Sequence, residues 1–95
     1  MADNTLQTSK VEKPRPGIDV MRKVEELLRE EMMQLGVDVA KLQPQEIASG
    51  MHCGIHSDGS MSYVWKGEPI LDVEPEKQPD GNIIWRFFTR DTPLQ

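Results

Sequence analysis

Three features of this sequence predict an α+β fold. Two Asp-Gly pairs, Asp58-Gly59 and Asp80-Gly81, each stand between segments that alternate apolar and polar residues, as β-hairpins do. Ahead of them, apolar residues recur at helical spacing over residues 20–35. Residues 1–16 are polar, lack periodicity and end in Pro14-Arg15-Pro16. The expected architecture is a disordered N-terminal arm over residues 1–16 and one domain over residues 17–95. In that domain one amphipathic helix and a short second helix pack on a three- to four-stranded antiparallel meander.

The arm buries too little apolar surface to offset the entropy lost on ordering. The helix follows it. Asp19 offers an N-cap, Val20, Met21, Val24, Leu27, Leu28, Met32 and Leu35 form one apolar stripe, and Gly36 supplies the stop. Glu25 and Arg29 make an i,i+4 pair on the opposite side. Two residues break the pattern: Glu31 projects inside the apolar arc and Met33 onto the polar side. In the plain reading Glu31 swings to solvent and Met33 is an ordinary exposed apolar residue. In the sharper one both belong to a contact surface, with Glu31 paired to Arg86 or to a base of the partner.

Over residues 37–50, Asp38 caps a short turn and Gln43-Pro44 opens the second helix with proline at its first position. Leu42 and Ile47 anchor it on the core, and Gly50 ends it.

In the meander, a type I′ turn at Asp58-Gly59 pairs Ser57 with Ser60, His56 with Met61, Gly54 with Tyr63, Cys53 with Val64 and His52 with Trp65. Period-two alternation then sets Met51, Cys53, Ile55 and Val64 on one face, and His52, His56, Met61, Tyr63 and Trp65 on the other. Tyr63 would lie across Gly54. Gly67-Glu68-Pro69 predicts a bend, residues 70–73 a strand and residues 75–81 a loop. The last strand, residues 82–89, carries Ile83, Trp85 and Phe87 on one side, with Ile84 and Phe88 flanking Arg86 on the other, so it should be central or doubly covered.

A single helix cannot cover both faces of such a sheet. The expected function is therefore that of a small acidic, non-enzymatic protein-protein interaction module, an adaptor or inhibitor, that binds through an aromatic sheet face. The candidate partner-binding residues are Glu31, Met33, Met61, Tyr63, Trp65, Ile84, Arg86 and Phe88, because Tyr, Trp, Met and Arg are enriched in interfaces. Cover by the connector or the chain ends is the plain alternative. A homodimer would satisfy the same face.

Composition narrows the partner. Sixteen acidic against eleven basic residues in 95 give a net charge of -5, and an acidic body repels phosphate backbones, which excludes ordinary nucleic-acid binding. A basic partner fits better. Acidic mimicry is a second reading: Glu25, Glu26, Glu30, Asp72, Glu74 and Glu76 would occupy the basic groove of a nucleic-acid-binding enzyme. A third is a small metal-binding protein using His52 and His56. Against it, Cys53 points away from both histidines in a regular strand, and His52 and His56 stand roughly 13 Å apart along it. Adjacent strand residues also make a poor Cys-His pair for hydrolysis, and no phosphate loop or nucleophile elbow occurs, so neither enzyme activity nor a cofactor is expected. Cys53, read as a small buried hydrophobe, is the single cysteine and has no disulfide partner within the chain. With no apolar run long enough for a leader or a membrane span, a soluble cytoplasmic protein is expected.

Overall fold

A computed structural model describes the backbone of Asn4–Thr8 and residues 15–90, with side chains for residues 15–90. The element order is β1 (Asn4–Thr8), α1 (Ile18–Gln34), a 3-10 turn (Val39–Lys41), α2 (Pro44–Gly50), β2 (Met51–Ile55), β3 (Met61–Trp65), β4 (Glu68–Lys77) and β5 (Ile83–Thr89). Strands β2 to β5 form an antiparallel meander, and the two helices pack on it, as the sequence predicts. One departure lies in the expected arm, where the backbone of Asn4–Thr8 adds antiparallel to β5. Strand pairing uses main-chain groups and needs no apolar periodicity, so the pattern that marks a core is silent about it. The rest of residues 1–14 lies outside the described residues.

Helix α1 starts two residues earlier than Asp19 would cap it: Gly17 is the N-cap, and its carbonyl accepts from the Met21 amide at 3.0 Å. Asp19 instead sits in the first turn, where an acidic side chain favours the helix dipole. The helix ends at Gly36 (φ +84°), with Gly36 N–H on the Met33 carbonyl and Val37 N–H on that of Met32. This is the paired-bond termination that glycine at C′ makes available. Val20, Val24, Leu27, Glu31 and Met32 form its buried stripe, while Met21 stays exposed. Helix α2 begins with Pro44, and the Gln43 amide donates to Glu46 Oε1 at 2.7 Å.

The hairpins correct the expected register. Around Asp58-Gly59 the His56 amide donates to the Ser60 carbonyl at 2.9 Å, so the loop holds three residues, Ser57, Asp58 and Gly59. Only Gly59 has positive φ, whereas a type I′ turn needs it at Asp58 too. The loop is a type I turn followed by a left-handed glycine, held by Asp58 Oδ1, which accepts from the Ser60 amide at 2.9 Å. Gln78, Pro79, Asp80, Gly81 and Asn82 repeat the construction, with Gln78 N–H on the Asn82 carbonyl and Asp80 Oδ1 accepting from the Asn82 amide. The two-residue turn with positive φ at both centres occurs at Lys66 (φ +47°) and Gly67 (φ +85°), between β3 and β4.

The extra loop residue moves every β2–β3 pair by one. Met51 faces Trp65, Cys53 faces Tyr63 and Ile55 faces Met61, while His52 faces Val64 and Gly54 faces Ser62. Side chains of a directly opposed pair share a face. Met61, Tyr63 and Trp65 thus join Leu71, Val73, Ile83, Trp85 and Phe87 on the helix-covered side, and Val64 joins His52 on the other.

Strand β4 runs unbroken through Pro69 and Pro75, where a bend and a loop were expected. Alternation from the Gln78–Asn82 hydrogen bond makes Pro75–Trp85 a non-hydrogen-bonded pair, so the Pro75 nitrogen faces β3, past that strand's last pair at Met61–Val73. No ladder bond is lost there. A bulge after Tyr63 inserts Ile70, which lets Ile70 and Leu71 both be buried.

Trp65 lies against the end of α2. A Cβ at Gly50 would stand 2.6 Å from Trp65 Cζ3, whereas one at Gly54 meets nothing closer than 4.0 Å. Gly50→Ala should therefore cost about 1–3 kcal/mol by overpacking, and Gly54→Ala should leave stability within about 0.5 kcal/mol, both measured by chemical denaturation.

Candidate functional site

The sheet has two unlike faces. The helix-covered one holds the core, and on the other β4 places Asp72, Glu74 and Glu76, β5 places Ile84, Arg86 and Phe88, and β3 places Ser62 and Val64. Ile84, Phe88 and Val64 are half-buried there. Arg86 Nε bonds Glu76 Oε1 across the β4–β5 pair. Nearby, Arg90 reaches Glu68 at 3.2 Å.

The predicted contact residues therefore divide. Met61, Tyr63 and Trp65 are core: Trp65 is 5% exposed and the other two are buried. The expectation that they line a docking face fails because it followed from a two-residue loop. Glu31, at 3% exposure, is also buried, while Arg86 lies on the far face of the sheet and bonds Glu76, so the expected Glu31–Arg86 pair does not form. Met33 is 64% exposed on the helix surface, away from Ile84, Arg86 and Phe88. Only Ile84, Arg86 and Phe88 are brought together, on the face that the described helices leave uncovered.

Two further surfaces lay outside the predicted set. Leu28 and Met32 of α1, Val39, Ile47 and Met51 line a cleft of about 340 Å³, with Glu25 and Arg29 also on its wall. Strand β2 is an edge of the sheet, and its Cys53 is exposed rather than buried, as is Ile55 at 75%. The signal for this edge was available: residues 47–57 are the longest stretch of the chain without Asp, Glu, Lys or Arg.

The residues with chemical potential are spread apart. His52 and Cys53 project to opposite faces of β2, and among the described residues no group of three His, Cys, Asp or Glu side chains converges on a metal-sized site. His56 Nε2 and Ser62 Oγ are 3.1 Å apart on the open face. Asp58, the acid that would orient such a histidine, receives the Ser60 hydroxyl at 2.7 Å and the Ser60 amide. Those two bonds hold its carboxyl below the usual range, with a smaller contribution from the charge of His56. Among the described residues, no helix is long and apolar enough to cross a membrane.

Burial pushes the Tyr63 phenol well above its ordinary value of 10.0, and the adjacent Cys53 thiol adds to the shift. Its hydroxyl donates to Met61 Sδ at 3.7 Å. A raised folded value favours the protonated form, so this contribution to stability is complete below pH 10.0 and falls away as pH rises beyond it. Because Tyr63 is the single tyrosine, tyrosinate absorbance above that pH should appear together with loss of the folded signal. Tyr63→Phe should remove that component of the alkaline instability.

No family model, curated protein or solved structure matches this chain.

Proposed function

We propose that this chain is a small acidic, non-enzymatic protein-interaction domain, an adaptor or inhibitor, whose open sheet face docks on a partner with apolar residues ringed by Lys and Arg. The observation that carries this reading is one-sided cover: both helices lie against the face of Trp85 and Phe87, and Ile84 and Phe88 remain half-exposed on the other. Around them stand Asp72, Glu74 and Glu76, on a body of net charge -5. Apolar anchors supply contact area, and the surrounding carboxylates select a basic rim and speed encounter. The Arg86–Glu76 bond gives the centre of the face a fixed polar shape. The exposed Cys53 thiol, which has no disulfide, fits a reducing compartment, and we place the domain in the cytoplasm.

Acidic mimicry of nucleic acid keeps one supporting observation. Asp72, Glu74 and Glu76 alternate on one side of β4, which spaces successive carboxylates by roughly 7 Å along the strand. Salt separates the two readings, since a charge-only contact is screened and an apolar anchor is not.

Capture of proteins from the native host on the immobilised full chain, washed through about 0.5 M salt, tests the proposal. Bound proteins should survive that wash and be lost from a folded Ile84→Ala/Phe88→Ala variant. Equal capture by that variant would overturn the reading. Elution by salt together with loss in an Asp72→Asn/Glu74→Gln variant would favour mimicry instead.

A further inference from the structure

We infer that the open edge of β2 is a self-association site, on which the β2 edge of a second copy of this chain pairs antiparallel about a two-fold axis through Cys53. This edge differs from the proposed docking face and is independent of it.

The geometry follows from the ladder. The Lys66 amide bonds the Gly50 carbonyl at 2.8 Å and the His56 amide bonds the Ser60 carbonyl at 2.9 Å. Alternation between these points directs the N–H and C=O groups of His52 and Gly54 to β3, and those of Cys53 and Ile55 outward with the Met51 carbonyl, while the Met51 N–H bonds the Ile47 carbonyl at the end of α2. Strand β2 ends the sheet order, and residues 52–55 are exposed. An outward row of unpaired donors and acceptors is a template for another strand. Proteins blunt such edges with lysine, proline or an inward-facing charge, and Met51–Ile55 contains none of these.

The pattern of β2 is matched by its own reverse. With Cys53 on the axis, Met51 opposes Ile55 of the second copy, His52 opposes Gly54 and Cys53 opposes its counterpart. Cys53 and its counterpart then exchange two N–H···O bonds, and each Met51 carbonyl accepts from the Ile55 amide of the other copy. Apolar Met51 and Ile55 cover each other on the helix side, and Gly54 leaves room for the imidazole of His52 on the other side. Charge points the same way. Two bodies of net charge -5 repel, and they approach at least cost along the stretch of residues 47–57, which holds no Asp, Glu, Lys or Arg. A basic partner would find no carboxylate there to read.

The test is sedimentation equilibrium of the full chain from micromolar to millimolar concentration, with amide exchange followed by NMR. Twice the chain mass should appear as concentration rises, and the Cys53 and Ile55 amides should become protected over the same range. The His52 and Gly54 amides should be protected throughout. Ile55→Lys, at an exposed position, should weaken association by at least about tenfold. Cys53→Pro removes an outward N–H, along with the thiol beside Tyr63, and should abolish association while leaving the β2–β3 ladder in place. A chain that stays monomeric at millimolar concentration, or a dimer that folded Ile55→Lys leaves unchanged, would overturn the inference.

Discussion

The structure depends on the parity of its hairpin loops. Alternate residues of a strand face opposite ways, so one residue more or fewer in a loop exchanges the core face of the next strand for its solvent face. The loops at Asp58-Gly59 and Asp80-Gly81 share one design: a type I turn closed by glycine at positive φ, with the aspartate accepting the amide two residues on. Each accommodates three residues between the flanking hydrogen-bonded pair. That count puts Met61, Tyr63 and Trp65 beneath the helices alongside Leu71, Val73, Trp85 and Phe87, and turns Ser62, Val64, Ile84, Arg86 and Phe88 outward.

From this division the chemistry of each surface follows. The large aromatic side chains do structural work: Trp65 lies against Gly50 with the Lys66 ammonium 5.4 Å from its ring, and Trp85 and Phe87 fill the centre under α1. What remains outside is a mixed face with a central Arg86–Glu76 bond, an apolar cleft beside α2, and a bare strand edge. The described helices close one face of the sheet and leave these surfaces open, because one helix spans only part of a sheet.

Much of the fold is legible in the sequence because the local signals agree. Spacing of Val20, Val24, Leu27 and Met32 gives α1, Gly36 its end, Pro44 the start of α2, and alternation in residues 82–89 an interior strand with apolar residues on both faces. Glu31 is a partial exception: its place on the apolar arc is readable, but its carboxylate does not swing to solvent as the plain reading expects, and the residue is buried. Turn geometry was not legible. Asp-Gly serves both the two-residue and the three-residue loop, and the choice is made by twist and packing across strands. Lys66 is an uncommon residue at positive φ, so the bend read at Gly67-Glu68-Pro69 is found one residue earlier, as the two-residue turn of Lys66 and Gly67. Pro69 and Pro75 read as strand breakers because whether a proline nitrogen faces a neighbouring strand depends on register and strand length. The candidate site inherited the register error: Ile84, Arg86 and Phe88 stayed together, while Met61, Tyr63 and Trp65 moved to the core.

The most direct test of this account is the pattern of cross-strand Hα–Hα nuclear Overhauser effects between β2 and β3. Strong effects are expected at the close, non-hydrogen-bonded pairs Cys53–Tyr63 and Ile55–Met61. A strong effect between Gly54 and Tyr63, with none between Cys53 and Tyr63, would mean a two-residue loop, an exchanged pair of sheet faces, and an account that is wrong from its first step.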